Sequence, residues 1–113
     1  MKRGEIWWAN LPILRGSEPG YRRPVVIVSD DRFNASSLRT VIVVSLTTNL
    51  HLEAQPGNVR ILARGTGLTK TSVANITTIT TVDRDDLDQK IGRVPHGALV
   101  LIDAGMRLVL SLK

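Results

Sequence analysis

Two unbroken runs of β-branched and aliphatic residues, 24–29 (PVVIVS) and 40–46 (TVIVVSL), constrain this chain more than any other feature. Each is too short for a typical helix and apolar at every phase, the pattern of a strand covered on both faces. They predict two central, buried strands. Pro24 opens its run, where a missing N–H is tolerated. Weaker strand patterns surround them. Residues 5–9 (EIWWA) are stopped by Asn10 and Pro12, 58–62 (NVRIL) alternate, 71–82 are dense in Thr, Val and Ile, and 89–94 give a last short strand. Residues 14–23 (LRGSEPGYRR) and 49–58 read as loops with turn chemistry. A short helical turn with an Asp cap fits 30–38, and an acidic turn fits 83–88.

The tail, 95–113, changes period. Leu99, Ile102, Met106, Val109 and Leu112 recur at spacings of three or four and share one helical face. Pro95 suits a helix start, while Arg107 and Lys113 suit the negative end of its dipole. Gly105 weakens that helix by about 1 kcal/mol relative to Ala. Leu101 and Leu108 make the other side apolar too, which predicts a helix buried in a subunit interface. The expected architecture is mainly β (α+β): a small, twisted, mostly antiparallel barrel closed by a C-terminal helix. One domain over residues 1–113 suits the length.

Composition narrows the chemistry. Fifteen Lys and Arg against ten Asp and Glu leave a formal charge of +5, and eleven of the fifteen are Arg. Arg grips phosphate with a planar fork, so an Arg-led surplus points to nucleic acid. Four aromatics (Trp7, Trp8, Tyr21, Phe33) argue against a base-stacking sheet of the RRM kind. The absence of Cys excludes a disulfide scaffold, a zinc finger and a thiol nucleophile, and two distant histidines do not make a metal site. No metal or other cofactor is expected. Without a membrane-spanning run or a secretory h-region, the expected setting is cytoplasmic.

Three places carry candidate chemistry. Arg22 and Arg23 stand where a Gly-rich loop meets a buried strand, a rigid mount for a phosphate-binding group. Thr47, Thr48 and Asn49 end the second buried run, where hydroxyls either cap a turn or donate to a phosphate. If the two runs pair antiparallel, an Arg at one strand's start and a Thr at its neighbour's end could share one phosphate. Glu18, beside Ser17, is a candidate base or a brace for Arg23. His51 has nothing nearby to orient it. Asp83, Asp85, Asp86 and Asp88 lack the spacing of a calcium loop and read as caps and solvated charge.

The order of these features resembles the MazF/PemK family of toxin ribonucleases from type II toxin–antitoxin modules, over most of the chain. Lys2-Arg3-Gly4-Glu5-Ile6-Trp7 is similar to the family's opening strand. Gly16-Ser17-Glu18, Gly20 and Arg23-Pro24 followed by Val-Val-Ile-Val form its most specific motif. Val43-Val44-Ser45-Leu46-Thr47-Thr48 matches its Thr-bearing strand end. Gly67-Leu68, Ser72-Val73 and Asp83 with Leu87 follow in order. Where members commonly carry an acidic or Gln residue, Ile and Arg, this chain has Thr77-Thr78-Ile79-Thr80.

The resemblance implies a PemK/CcdB-type SH3-like small barrel in a two-fold homodimer, and metal-independent cleavage of single-stranded RNA. It places the catalytic Arg at Arg23, the catalytic Thr at Thr47 and a supporting acid at Glu18, with Ser17, Gly20, Arg22, Thr48 and Asn49 as RNA-binding candidates. Glu18 and water both remain candidates for the base. The implied partner is an antitoxin with an acidic, flexible segment. Two rivals share the general fold: a CcdB-like gyrase-poisoning toxin and a non-catalytic SH3-like RNA-binding module. The first relies on a terminal Trp-Gly-Ile, where this chain has Ser111-Leu112-Lys113. The second gives no reason for the Gly-Ser-Glu loop beside Arg23.

Overall fold

The computed structural model describes residues 1–11 and 21–113. Its elements are β1 (Glu5–Leu11), β2 (Tyr21–Ile27), α1 (Asp31–Asn34), β3 (Thr40–Thr47), β4 (Val59–Ile61), β5 (Ser72–Asp83), β6 (Leu87–Arg93) and α2 (His96–Leu110). Single turns of 3₁₀ helix occupy Leu50–Ala54 and Arg84–Asp86. The strands form one antiparallel sheet in the order β4-β5-β3-β2-β1-β6. The chain is mainly β, a curled half-barrel with a C-terminal helix. The two apolar runs occupy the central strands β3 and β2, as their double-sided burial requires.

Alternation along β2 divides the core in two. Val26 and Val28 join Ile6, Val44, Leu46, Ile76 and Ile102 under α2. Val25 and Ile27 join Ala9, Leu11, Val41, Val43 and Val82 on the other face. Strand β5 serves both by bulging: its partners step from Asn75 to Thr80 while those of β3 step only from Ser45 to Val43. Five residues of β5 thus span two of β3, and 77–79 are pushed out of the ladder.

Several boundaries move from their expected places. Strand β2 begins at Tyr21 within the expected loop, because Tyr21, Arg22 and Arg23 pair with Leu11, Asn10 and Ala9 of β1. Helix α2 ends at Leu110, where Ser111 turns left-handed (φ 57°) and its N–H closes back on Leu108. Leu112 is therefore exposed beyond the helix instead of lying on its buried face. Ile102 is fully buried, with Leu99, Met106 and Val109 packed beside it. The expected Asp cap is present, Asp30 accepting the Arg32 N–H at 2.8 Å.

Two polar links hold the ends of the sheet. Glu5 accepts from the Lys2 N–H at 2.9 Å and the Trp7 indole at 3.0 Å, and lies 3.1 Å from the Lys90 ammonium on β6. Burial alone would raise its pKa, but these donors outweigh that and hold it at about 2. Arg3 forms an ion pair with Asp103 of α2 and donates to the Val28 carbonyl at 3.0 Å, tying the helix to the sheet. Gly105 lies against the Gly57 carbonyl, where a Cβ has no room. The glycine that costs the helix propensity thus permits its close seat on the chain ahead of β4.

Candidate active site at the end of the central strands

Strands β2 and β3 pair Ile27 with Val43, Val26 with Val44 and Val25 with Ser45. Val25 opposite Ser45 is the last of these pairs, and the same register carried two residues further would set Arg23 level with Thr47. Period-two alternation turns both side chains to the face that carries Val25 and Ser45. Neighbouring strands lie ~4.8 Å apart, within reach of a single phosphate group. The backbone at Arg23 is gripped from the other side by Ala9 of β1, and that at Thr47 by Val73 of β5. Both residues are half-buried, on an element held from each edge.

Their local chemistry suits an anion. The Arg23 guanidinium lies 5.0 Å from the centroid of the Tyr21 ring, whose face favours a cation. Among the described residues no carboxylate stands within 4 Å of Arg23, whereas Arg3, Arg22, Arg32, Arg39 and Arg60 each have one. The Thr47 hydroxyl oxygen accepts the Asn49 N–H at 3.2 Å. That bond occupies a lone pair and leaves the hydroxyl proton to donate outward. Turn capping and phosphate donation are therefore compatible at one residue.

Beside them runs a groove of about 340 Å³ lined by Tyr21, Leu11, Ser45 and the β5 stretch from Thr77 to Val82. The bulge creates it. Thr78 fills the break in the ladder, its Oγ1 accepting the Ser45 N–H at 3.1 Å and donating to the Asn75 carbonyl at 2.6 Å. The Thr77-Thr78-Ile79-Thr80 departure noted in the sequence thus forms one wall of this groove, polar but uncharged.

The remaining candidates separate. Arg22 points to the opposite face, where its guanidinium stacks 4.4 Å over Trp8 and bonds Asp88 at 3.0 and 3.2 Å. That bidentate partner holds the Asp88 carboxyl below its ordinary pKa. Thr48 opens onto a separate cleft with Trp8, Pro24 and Lys70. The Asn49 side chain accepts the His51 N–H at 3.2 Å and caps the 3₁₀ turn that contains His51. Glu18, Ser17 and Gly20 lie outside the described residues. The acidic residues take structural partners: Asp83 caps Asp85, and Asp85 bonds Arg39 at 2.7 Å. Among the described residues, no three His, Asp or Glu side chains converge as a metal site, and no helix is long and apolar enough to cross a membrane. Sequence reasoning passed over Tyr21 and Lys70. Tyr21 was accessible through its period-two spacing from Arg23; Lys70 reaches its cleft only through the fold.

The family model for PemK-like, MazF-like toxins of type II toxin–antitoxin systems matches residues 2–110. The chain belongs to this family. It is 44% identical over 112 residues to endoribonuclease MazF2 of Mycobacterium bovis, covering 99% of this chain and 98% of that protein. It is 37% identical to endoribonuclease MazF9 of Mycobacterium tuberculosis, covering 99% and 98%. Among solved structures, the MazE–MazF crystal structure from Deinococcus radiodurans superposes with a TM-score of 0.80 at 19% identity, covering all of this chain and 97% of that one. The half-barrel and its C-terminal helix are accordingly the MazF fold.

Proposed function

We propose that this MazF-family protein is a metal-independent endoribonuclease of single-stranded RNA, with residues 1–113 acting as one toxin domain. The observation that supports the reading is the β2–β3 register ending at Val25 opposite Ser45, from which Arg23 and Thr47 each lie two residues on. In the reaction a ribose 2′-hydroxyl attacks the adjoining phosphorus and the 5′-oxygen leaves, giving a 2′,3′-cyclic phosphate and a 5′-hydroxyl. Negative charge gathers on a crowded phosphorane, so fixed donors aimed there lower the barrier most. Arg23 supplies a fork of donors to the phosphoryl oxygens and a proton to the leaving oxygen. Thr47 adds one hydroxyl donor. Arg, with a pKa above ~12, does not serve as the base. Glu18 or a water molecule takes the 2′ proton.

Ser17, Gly20, Arg22, Thr48 and Asn49 are the candidate RNA-binding residues, of which Thr48 lines the cleft beside Pro24. The outward apolar side of α2, with Leu101 and Leu108 exposed, is where a second copy packs. A +5 chain suits an antitoxin partner with an acidic, flexible segment, and the Deinococcus radiodurans relative is seen with MazE. The cytoplasm, where RNA and a nascent antitoxin are both present, is the setting for these reactions.

The test is incubation of pure protein with a panel of single-stranded RNAs in excess EDTA. Cleavage with cyclic phosphate ends is expected. Intact RNA across the whole panel overturns the reading, and a DNA supercoiling assay then distinguishes a gyrase poison from a non-catalytic RNA-binding module.

A further inference from the structure

The sheet end that carries Arg23 and Thr47 on one face carries a different cleft on the other. Its volume is about 240 Å³. Trp8 and Pro24 wall it, residues that alternate with Ala9 and Arg23 along paired strands. Thr48, Thr69 and Lys70 line its rim, and among the described residues no acidic side chain lines it. Lys70 is exposed, and among the described residues no carboxylate lies within 4 Å of its ammonium, in contrast to Lys90, which is paired with Glu5. The indole is held in place. Arg22 covers the Trp8 ring at 4.4 Å, Asp88 fixes Arg22 with two bonds, and Asn10 donates to Asp88 at 3.3 Å.

We propose that this cleft is a second nucleotide subsite, taking the nucleotide next to the one at the scissile phosphate. The inference rests on the ribonuclease reading above. A rigid aromatic wall accepts a base by stacking, which tolerates any sequence, while an ammonium and two hydroxyls suit a phosphate. Prior fixing of the Trp8 ring removes an ordering cost at binding. Position adds the second argument. Thr47 and Thr48 are consecutive at the end of β3, so a strand that leaves the phosphate at Thr47 meets Thr48 on turning round the sheet end. Arg22 acts as a positioning residue for the Trp8 wall.

The experiment measures binding of a 2′-O-methyl single-stranded RNA, which the 2′-hydroxyl mechanism cannot cut, to wild type, Lys70→Glu and Arg32→Glu. Arg32 is highly exposed on α1 and makes the same change in net charge away from the cleft. Lys70→Glu is expected to raise Kd about fivefold to tenfold and to flatten the log–log salt slope by about 0.7, one phosphate contact. Arg32→Glu is expected to do neither. Equal effects from the two variants, or none from Lys70→Glu, overturn the subsite. Loss of an acidic peptide with RNA binding retained assigns the cleft to a protein partner and overturns it as well. Cleavage of unmodified RNA by the wild type is read in parallel: if that fails, the ribonuclease reading falls by itself, while the binding series still decides the cleft.

Discussion

The Arg22 guanidinium stacks over the Trp8 indole and is clamped by Asp88, while Arg23, one residue on, faces the other side of the sheet beside Tyr21. Adjacent arginines on a strand thus have different work. Arg23→Ala is expected to lower kcat by about 10²–10³, the loss typical of a removed charge-stabilising donor, with Tm unchanged. Arg22→Ala is expected to raise KM a few-fold with kcat held. Steady-state kinetics on one RNA, beside thermal melts, check both; equal losses of kcat in the two variants contradict the division.

Thr47→Val keeps the shape and β-propensity of the strand end but removes the hydroxyl donor. A fall in kcat of at least about tenfold is expected, with recovery in Thr47→Ser. Near-normal rates in the Val variant would leave Thr47 with only its bond to the Asn49 N–H.

Gly105→Ala separates helix propensity from packing. Propensity alone favours Ala by about 1 kcal/mol. The added methyl, however, drives into the Gly57 backbone carbonyl, which cannot swing aside as a side chain could. A net destabilisation of about 1–3 kcal/mol is expected. Urea titration reads it, and a midpoint at or above wild type contradicts the close seat.

Glu5 sets part of the acid response. Its folded pKa of about 2 lies below the 4.5 of an unperturbed Glu. Its contribution is therefore complete above pH 4.5 and is lost as pH falls from 4.5 toward 2. Glu5→Gln is expected to lower stability at pH 7 and to flatten the pH dependence across that window. Denaturant midpoints at pH 6, 4 and 3 test this; parallel curves for the two proteins exclude it.

Arg3→Ala removes the link from the sheet to Asp103 and leaves the Val28 carbonyl without that donor. The pair is partly exposed, so a loss of about 1 kcal/mol is expected. Hydrogen exchange should rise first in α2, and unchanged exchange there would show that Ile102 and its neighbours hold the helix unaided.

What the sequence made legible follows from which forces are local. Residues 24–29 and 40–46 announce central strands because burial on both faces over most of their length puts apolar residues at consecutive positions, with Ser45 a buried polar exception and Ile42 left exposed. The helical period of α2 and the cap at Asp30 are local in the same way. Strand β2 reaches back to Tyr21 only because β1 is there to pair with it, and neither Gly nor Pro marks the bulge at 77–79. Arg23 and Thr47 could each be placed at a strand end from sequence, but the register that ends at Val25 opposite Ser45, two residues from each, comes only from the fold. The Trp8–Lys70 cleft was illegible, since its walls come from segments some sixty residues apart.

Strand β1 lies between β2 and β6, with Glu5 opposite Arg93. One edge of the first strand therefore stays open until almost the last segment has been made. Such long-range closure is slow, because loop entropy is lost before the pairing rewards it. During synthesis, the arginines on β2 are out of the chain long before the sheet that must hold β1 beside them is complete. A chain of this topology is built to reach its finished form late, after most of its length has left the ribosome.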